Sequence, residues 1–223
     1  MEIYTNAMLK DWQTCKNKYY YKYVKKIYIP QNEANFELGR NVHALISYKL
    51  NGYDVKIVEK NASEEVLEHY HSILKHPLLK QEYFLSEWGF NSLIGNTGDI
   101  FAGRIDAVFY DREKNHYTIA DWKTGMKIPN NPLLERQSQI YLYSFFNAKE
   151  DLGINIKPEN VSFTFVQTPS LNESSIDFSE DLYFKFEKDF IQTIQKIKNY
   201  KFTKEFDEKH NCKFCEYKFI CQK

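Results

Sequence analysis

The sequence carries no net charge: thirty Lys and Arg balance thirty Asp and Glu. A neutral molecule does not draw in polyanions through its overall field, so a nucleic-acid partner requires a local basic patch, and nonspecific coating of DNA is disfavoured. A long apolar run is also missing. Nothing approaches the roughly 18 residues of a transmembrane helix. The stretch MEIYTNAMLKDWQTC lacks the charged-then-apolar pattern of a secretory signal. The expectation is a cytoplasmic protein with no membrane partner. No phosphate-cradling G-x-x-x-x-G-K-[ST] occurs, so any ATP-driven step must come from a partner. Neither an internal repeat nor a low-complexity linker divides the 223 residues, a length that suits one large domain with at most a small appendage.

What is present is a substantial core and four cysteines. Hydrophobic residues make up 43% of the chain, with 17 Tyr and 17 Phe for bulk. In a reducing compartment, four cysteines point to metal or redox chemistry more than to disulfides. Apolar spacing predicts a helix over the first 30 residues, ended by Pro30. A second is expected over about 35–50, with Phe36, Gly39, His43, Ile46 and Leu50 on one face, and a third over about 63–75. EYFLSEWGF, FAGRIDAVFYD, NHYTIADWKTG and VSFTFVQ read as strands. Asn131 and Pro132 open a helix expected to run from Leu133 to about Lys149, and residues 180–200 form a long amphipathic helix. The fold class is therefore α/β, a small mixed central sheet flanked by helices.

The stretch ADWKTG places Asp121 and Lys123 two positions apart. On a strand, alternate side chains share a face, so Tyr117, Ile119, Asp121 and Lys123 point one way and Thr118, Ala120 and Trp122 the other. Gly125 then allows a close turn. If DREKNH closes a hairpin with Asp111 opposite His116, Asp106 falls opposite Asp121. Opposed residues have Cβ atoms roughly 4.5–5.5 Å apart, and two carboxylates that close repel unless one is protonated or a cation lies between them. Two acids and a lysine suit Mg²⁺ or Mn²⁺, which favour oxygen ligands. Such a cation can activate water and polarise a phosphoryl oxygen, while the lysine orients the water or offsets developing charge. That chemistry is phosphodiester hydrolysis. The plain alternative is that both acids are surface residues at strand ends.

GRID followed by DWKTG resembles the core of the PD-(D/E)XK nuclease superfamily, and more narrowly its RecB-type branch. LGRNVH is similar to that branch's Gly-x-x-x-His element, which implies His43 as a further metal ligand beside Asp106 and Asp121, with the carbonyl of Trp122 contributing. QIYLYS resembles its Gln-x-x-x-Tyr helix, giving Gln139 and Tyr143 as supporting catalytic residues. A shifted copy, Gln137 and Tyr141, lies in the same helix, and the apolar pattern favours the later pair. Glu87 is a weaker candidate for an assisting acid.

CKFCEYKFIC together with Cys15 resembles the iron–sulfur subclass of this branch, which includes the AddB nuclease domain and the CRISPR adaptation nuclease. The resemblance implies a 4Fe-4S cluster on Cys15, Cys212, Cys215 and Cys221, joining residues 1–30 and 205–223 as a subdomain beside a catalytic core of about 36–167 within a single domain. Zinc at the same cysteines, with His210 as a possible ligand, is the rival. Lys18, Tyr19 and Lys22, from a stretch of interleaved tyrosine and lysine, and Arg104 are candidates for holding nucleic acid; the alternative for the stretch is a solvated lysine face with tyrosines packed inward. The resulting expectation is a metal-dependent DNA nuclease, an exonuclease on single-stranded ends, with a helicase or a recombination or adaptation protein as partner. The alternative is a DNA-binding or assembly subunit using an inactive nuclease fold as scaffold.

Overall fold

The computed structural model of the chain describes residues 1–30, 34–125, 127–202, 212 and 215–221; the candidate ligand His210 lies outside them. In chain order the main elements are β1 (Ile3–Tyr4), α1 (Asn6–Thr14), α2 (Lys16–Tyr19), α3 (Ala34–Leu50), α4 (Lys56–Asn61), α5 (Glu64–Ile73), β2 (Glu82–Leu93), β3 (Ile100–Asp111), β4 (His116–Lys123), α6 (Arg136–Asn147), β5 (Val161–Gln167), β6 (Glu173–Asp177), α7 (Glu180–Asn199) and α8 (Lys218–Cys221).

The six strands make one mixed sheet. Its path runs β1-β3-β4-β5-β6, with β2 paired to β3. β2, β3 and β4 are successive antiparallel neighbours. β4 and β5 are parallel, which requires a crossover, and α6 supplies it. Every residue of β5 except Gln167 is buried, as befits a strand covered on both faces.

Helices cover both faces, and the alternation of β4 divides its residues between them. Ile119 enters a core with Phe90, Phe145 and Phe163, closed by α6 and by Phe186, Phe190 and Ile194 of α7. Ala120 and Trp122 enter a second core with Val42, Leu45 and Ile46 of α3 and Val66, Tyr70 and Ile73 of α5. Trp122, 2% exposed, meets Phe109 and His76 edge-on at 6.3 Å each. The two faces of the hairpin therefore have separate anchors, which fixes its register.

The long N-terminal helix expected from the sequence is broken. Cys15 is extended, with φ −158° and ψ 116°, and its Sγ caps the next helix by accepting from Lys18 N. Residues Tyr20–Val24 then form a π-helical turn. The helix expected from Leu133 is divided too. Asn131 caps a short 3₁₀ turn, Pro132–Leu134, and Glu135 is extended before α6 begins. A Cβ at Gly125 would meet nothing within 4 Å, so packing among the described residues does not itself require glycine there.

Candidate active site

The β3–β4 hairpin has Asp111 opposite His116, Tyr110 opposite Tyr117 and Ala107 opposite Ala120. The same register, carried one step further, brings Asp106 and Asp121 together at the end of the pairing. Both are buried, at 8% and 2% exposed. Asp106 Oδ2 accepts from Trp122 N at 3.0 Å, so the main chain between Asp121 and Lys123 is tied to the other acid.

Asp121 meets Lys123 and a glutamine from α6. Its Oδ1 accepts from Gln137 Nε2 at 2.5 Å. Its Oδ2 forms an ion pair with Lys123 Nζ at 2.5 Å and has no other partner among the described residues. Lys123 Nζ donates to Gln137 Oε1 at 2.9 Å and lies 5.2 Å from the centre of the Phe165 ring. Gln137 Nε2 also donates to Tyr141 Oη at 3.2 Å. One amide thus spans acid and ammonium, and a tyrosine backs it. Burial raises the Asp121 pKa, the charge of Asp106 adds to the rise, and Lys123 and His43 only partly oppose it.

His43 arrives from α3, across the sheet. Gly39, one turn earlier, faces Thr124, whose Oγ1 would lie 3.4 Å from a Cβ at that position. His43 Nε2 is 2.9 Å from the carbonyl oxygen of Trp122, which can only accept, so this nitrogen carries the hydrogen. Nδ1 is 3.4 Å from Asp106 Oδ2. Burial works to lower the His43 pKa, but the hydrogen bond to Asp106, the charges of Asp106 and Asp121 and the Trp122 carbonyl outweigh it and push it up to about 9.

Glu87 completes the group. In the β2–β3 register Ser86 faces Ala107 and Trp88 faces Ile105, so Glu87 stands at the level of Asp106. Its φ is +50°, a left-handed conformation that costs a non-glycine residue about 1–2 kcal/mol and that turns its side chain out of the strand's alternation. Ligand atoms of His43, Glu87 and Asp106 lie within 4.8 Å of one another. Burial and Asp106 raise the Glu87 pKa against the opposing charges of Arg104 and His43. Carboxylate oxygens, an imidazole nitrogen and a nearby main-chain carbonyl are a donor set that fits Mg²⁺ or Mn²⁺, and the buried Asp121 oxygen beside Lys123 can accept a further partner.

Other expected residues lie elsewhere. Gln139 donates to the Leu133 carbonyl at 2.6 Å and accepts from Arg136 at 2.9 Å. Tyr143 Oη accepts from Gly95 N and donates to Glu187, each at 3.0 Å. This pair faces α7, and the shifted pair Gln137 and Tyr141 occupies the position beside the acids. Tyr19, 4% exposed, is part of the core, edge-on to Trp12 at 5.4 Å, and is not available to stack on a base. Lys18 and Lys22 are 3.2 and 2.9 Å from Asp11, and Lys18 also pairs with Glu216 at 3.1 Å. Burial raises the Asp11 carboxyl, but hydrogen bonds from Lys22, Tyr23 and Lys18 hold it below the usual carboxylate range. Tyr23 also donates to Asp11 at 2.9 Å, which makes Asp11 a node that the lysine-rich pattern concealed. Arg104 remains exposed and pairs with Glu87 at 2.7 Å.

The four thiols are free and gather from both ends of the chain. Cys215 N donates to the Cys212 carbonyl at 3.2 Å, closing a turn. Cys221 Sγ accepts from Asn17 Nδ2 at 3.7 Å, across 204 positions of sequence. Burial raises the Cys221 thiol pKa, and Cys15, Cys212 and Cys215 each add to the rise; the four sulfurs are electrostatic neighbours. Tyr217 Oη donates to the Ile27 carbonyl at 2.8 Å, and its ring stacks on Tyr21 at 6.1 Å. Thiols are the donor type that zinc or an iron–sulfur cluster takes; among the described residues, the ligand atoms that lie within 4.8 Å of one another are those of His43, Glu87 and Asp106, not the cysteines.

The model of the PD-(D/E)XK nuclease superfamily matches residues 60–222, most of the sequence. The chain belongs to that superfamily. Among solved structures it is similar to a Eubacterium rectale protein described provisionally as an exonuclease, at 12% identity and a TM-score of 0.55, over 95% of this chain and 86% of that one. A second, SSO0001, aligns over 96% of this chain and 92% of its own at 17% identity and a TM-score of 0.40. No curated protein matches the sequence. At 12% identity the likeness to the first speaks for the fold alone. Among the described residues, no helix is long and apolar enough to cross a membrane.

Proposed function

We propose that the chain is a metal-dependent deoxyribonuclease of the RecB-type branch. The observation that carries this reading is the Gln137 bridge between Asp121 and Lys123, set beside Asp106 on the neighbouring strand. In this reading Asp106, Asp121, His43 and Glu87 hold Mg²⁺ or Mn²⁺, with the Trp122 carbonyl kept at the site by His43. Such a cation supplies Lewis acidity, acidifying water and neutralising charge on a phosphoryl oxygen.

The residues divide the remaining work. Lys123 presents an ammonium to the attacking water and to the negative charge that grows on the phosphate. Gln137 fixes the lysine and the aspartate relative to one another, and Tyr141 fixes Gln137. Within the superfamily, action on single-stranded ends follows from the resemblance of the cysteine pattern, with the cluster holding the two ends of the chain together and taking no part in hydrolysis. DNA is the substrate, and unwinding falls to a partner.

The test is cleavage of end-labelled single- and double-stranded DNA by anaerobically purified protein with Mg²⁺, Mn²⁺ or EDTA. Cleavage that needs the cation and falls by about 10²–10³-fold or more in Asp121→Asn is expected; label position gives the polarity. Folded protein that binds DNA and cuts it under no cation would overturn the reading in favour of a scaffold.

A further inference from the structure

Each acid of the site is matched to one cation. Asp121 lies 2.5 Å from Lys123, Asp106 lies 3.4 Å from His43, and Glu87 lies 2.7 Å from Arg104. The three pairs differ in what would release them. Lys123 is also held by Gln137, and His43 by the Trp122 carbonyl. Arg104 reaches Glu87 from outside: its side chain is 66% exposed, against 22% for Glu87.

Arg104 precedes Asp106 by two residues on β3 and pairs with Glu87, which stands at the level of Asp106. It is an exposed cation beside the acids, within reach of an incoming phosphate. Guanidinium is suited to phosphate, with several donors in a planar fork. A phosphate that engages Arg104 competes directly with the Glu87 carboxylate. Glu87 would then face Asp106 and His43, with ligand atoms of the three within 4.8 Å of one another. The left-handed backbone at Glu87 aims the carboxylate there at a cost that surroundings must offset.

We propose that Arg104 is a nucleic-acid phosphate-binding residue, and that its capture by substrate hands Glu87 from the ion pair to the divalent cation, so that DNA and metal tighten each other's binding. The inference rests on the metal-site reading above. Coupling of this kind is reciprocal, and typical values amount to about 5-fold or more in affinity.

The test is Mn²⁺ affinity, read from the electron paramagnetic resonance signal of free Mn²⁺, with and without a short phosphorothioate oligothymidylate. In the unaltered protein the oligonucleotide should tighten Mn²⁺ binding by about 5-fold or more. Arg104→Gln should bind Mn²⁺ at least as tightly without DNA and lose the enhancement. Glu87→Gln should bind Mn²⁺ more weakly and lose it also, while still binding the oligonucleotide. Mn²⁺ binding that DNA leaves unchanged, or an enhancement that survives in Arg104→Gln, would overturn this inference and leave the metal site standing. Failure of the unaltered, folded protein to bind Mn²⁺ at all would overturn both.

Discussion

His43 governs how the metal-free site responds to pH. Its pKa stands at about 9 in the folded protein against roughly 6.5 in an unfolded chain. The folded state therefore holds a proton that the unfolded state releases across that window. The stabilisation is fully present below about pH 6.5 and is lost as the pH rises through about 9. Asp121 acts in the same direction at lower pH, because burial and Asp106 make its folded form bind protons more tightly than the unfolded one. In EDTA, the melting temperature should fall by several degrees between about pH 6.5 and 9. A divalent cation takes the place of the proton, so the rise on adding Mn²⁺ should be larger at the alkaline end, and His43→Gln should flatten the EDTA curve. A melting temperature that climbs across this window in EDTA would contradict the assignment. At this scale the positions of Asp106, Asp121 and Lys123 were legible, because strand alternation and a short hairpin leave little freedom. Glu87 was legible only as a weaker candidate, because a strand residue at φ +50° obeys no period.

Helix α6 shows how a phase error arises. Residues advance about 100° each around a helix, so Gln137 and Tyr141 lie about 200° from Gln139 and Tyr143, on nearly opposite faces. The apolar pattern could not separate the two registers, since Ser138 and every residue from Ile140 to Phe146 are buried. A helix packed between a sheet and α7 has no wet face to set its phase. The extended Glu135 removed the other guide, because the cap at Asn131 governs a separate 3₁₀ turn. The registers make opposite demands on mutation. Gln137→Ala frees Lys123 and Asp121 from their common partner and should lower the cleavage rate by about 10²-fold, the scale of a small misplacement of reacting groups. Gln139→Ala loses contacts to Leu133 and Arg136, which should cost roughly 1 kcal/mol of stability and leave the rate nearly unchanged. Single-turnover cleavage and urea unfolding of both variants would show it, and a slower reaction in Gln139→Ala with Gln137→Ala unaffected would restore the other register.

Across the whole molecule, the cysteines join segments that no strand pairing brings together. The sulfur of Cys221 meets Asn17 across 204 positions, and Lys18 meets Glu216 at 3.1 Å. Cys15 caps α2 and so sits where the N-terminal helix breaks; that break is the feature hydropathy hid, because a cysteine reads as one more apolar residue. A link closing so long a loop constrains the unfolded chain by an amount that, by analogy with a disulfide, is of order 5 kcal/mol. Burial first, and neighbouring cysteines after it, raise the pKa of the Cys215 and Cys221 thiols, which adds to the argument: without a cation, thiolates there would repel, and a metal removes that penalty. Anaerobically purified protein is expected to be brown and to contain iron. Cys15→Ser and Cys221→Ser should each abolish the visible absorption and lower the melting temperature, and the double variant should melt no lower than either single one, because the first loss already opens the loop. Colourless protein holding one zinc per chain would replace the iron–sulfur assignment and leave the clamp intact. A variant that loses its metal and melts as before would remove the clamp, since the entropy of the long loop would then be paid elsewhere in the fold.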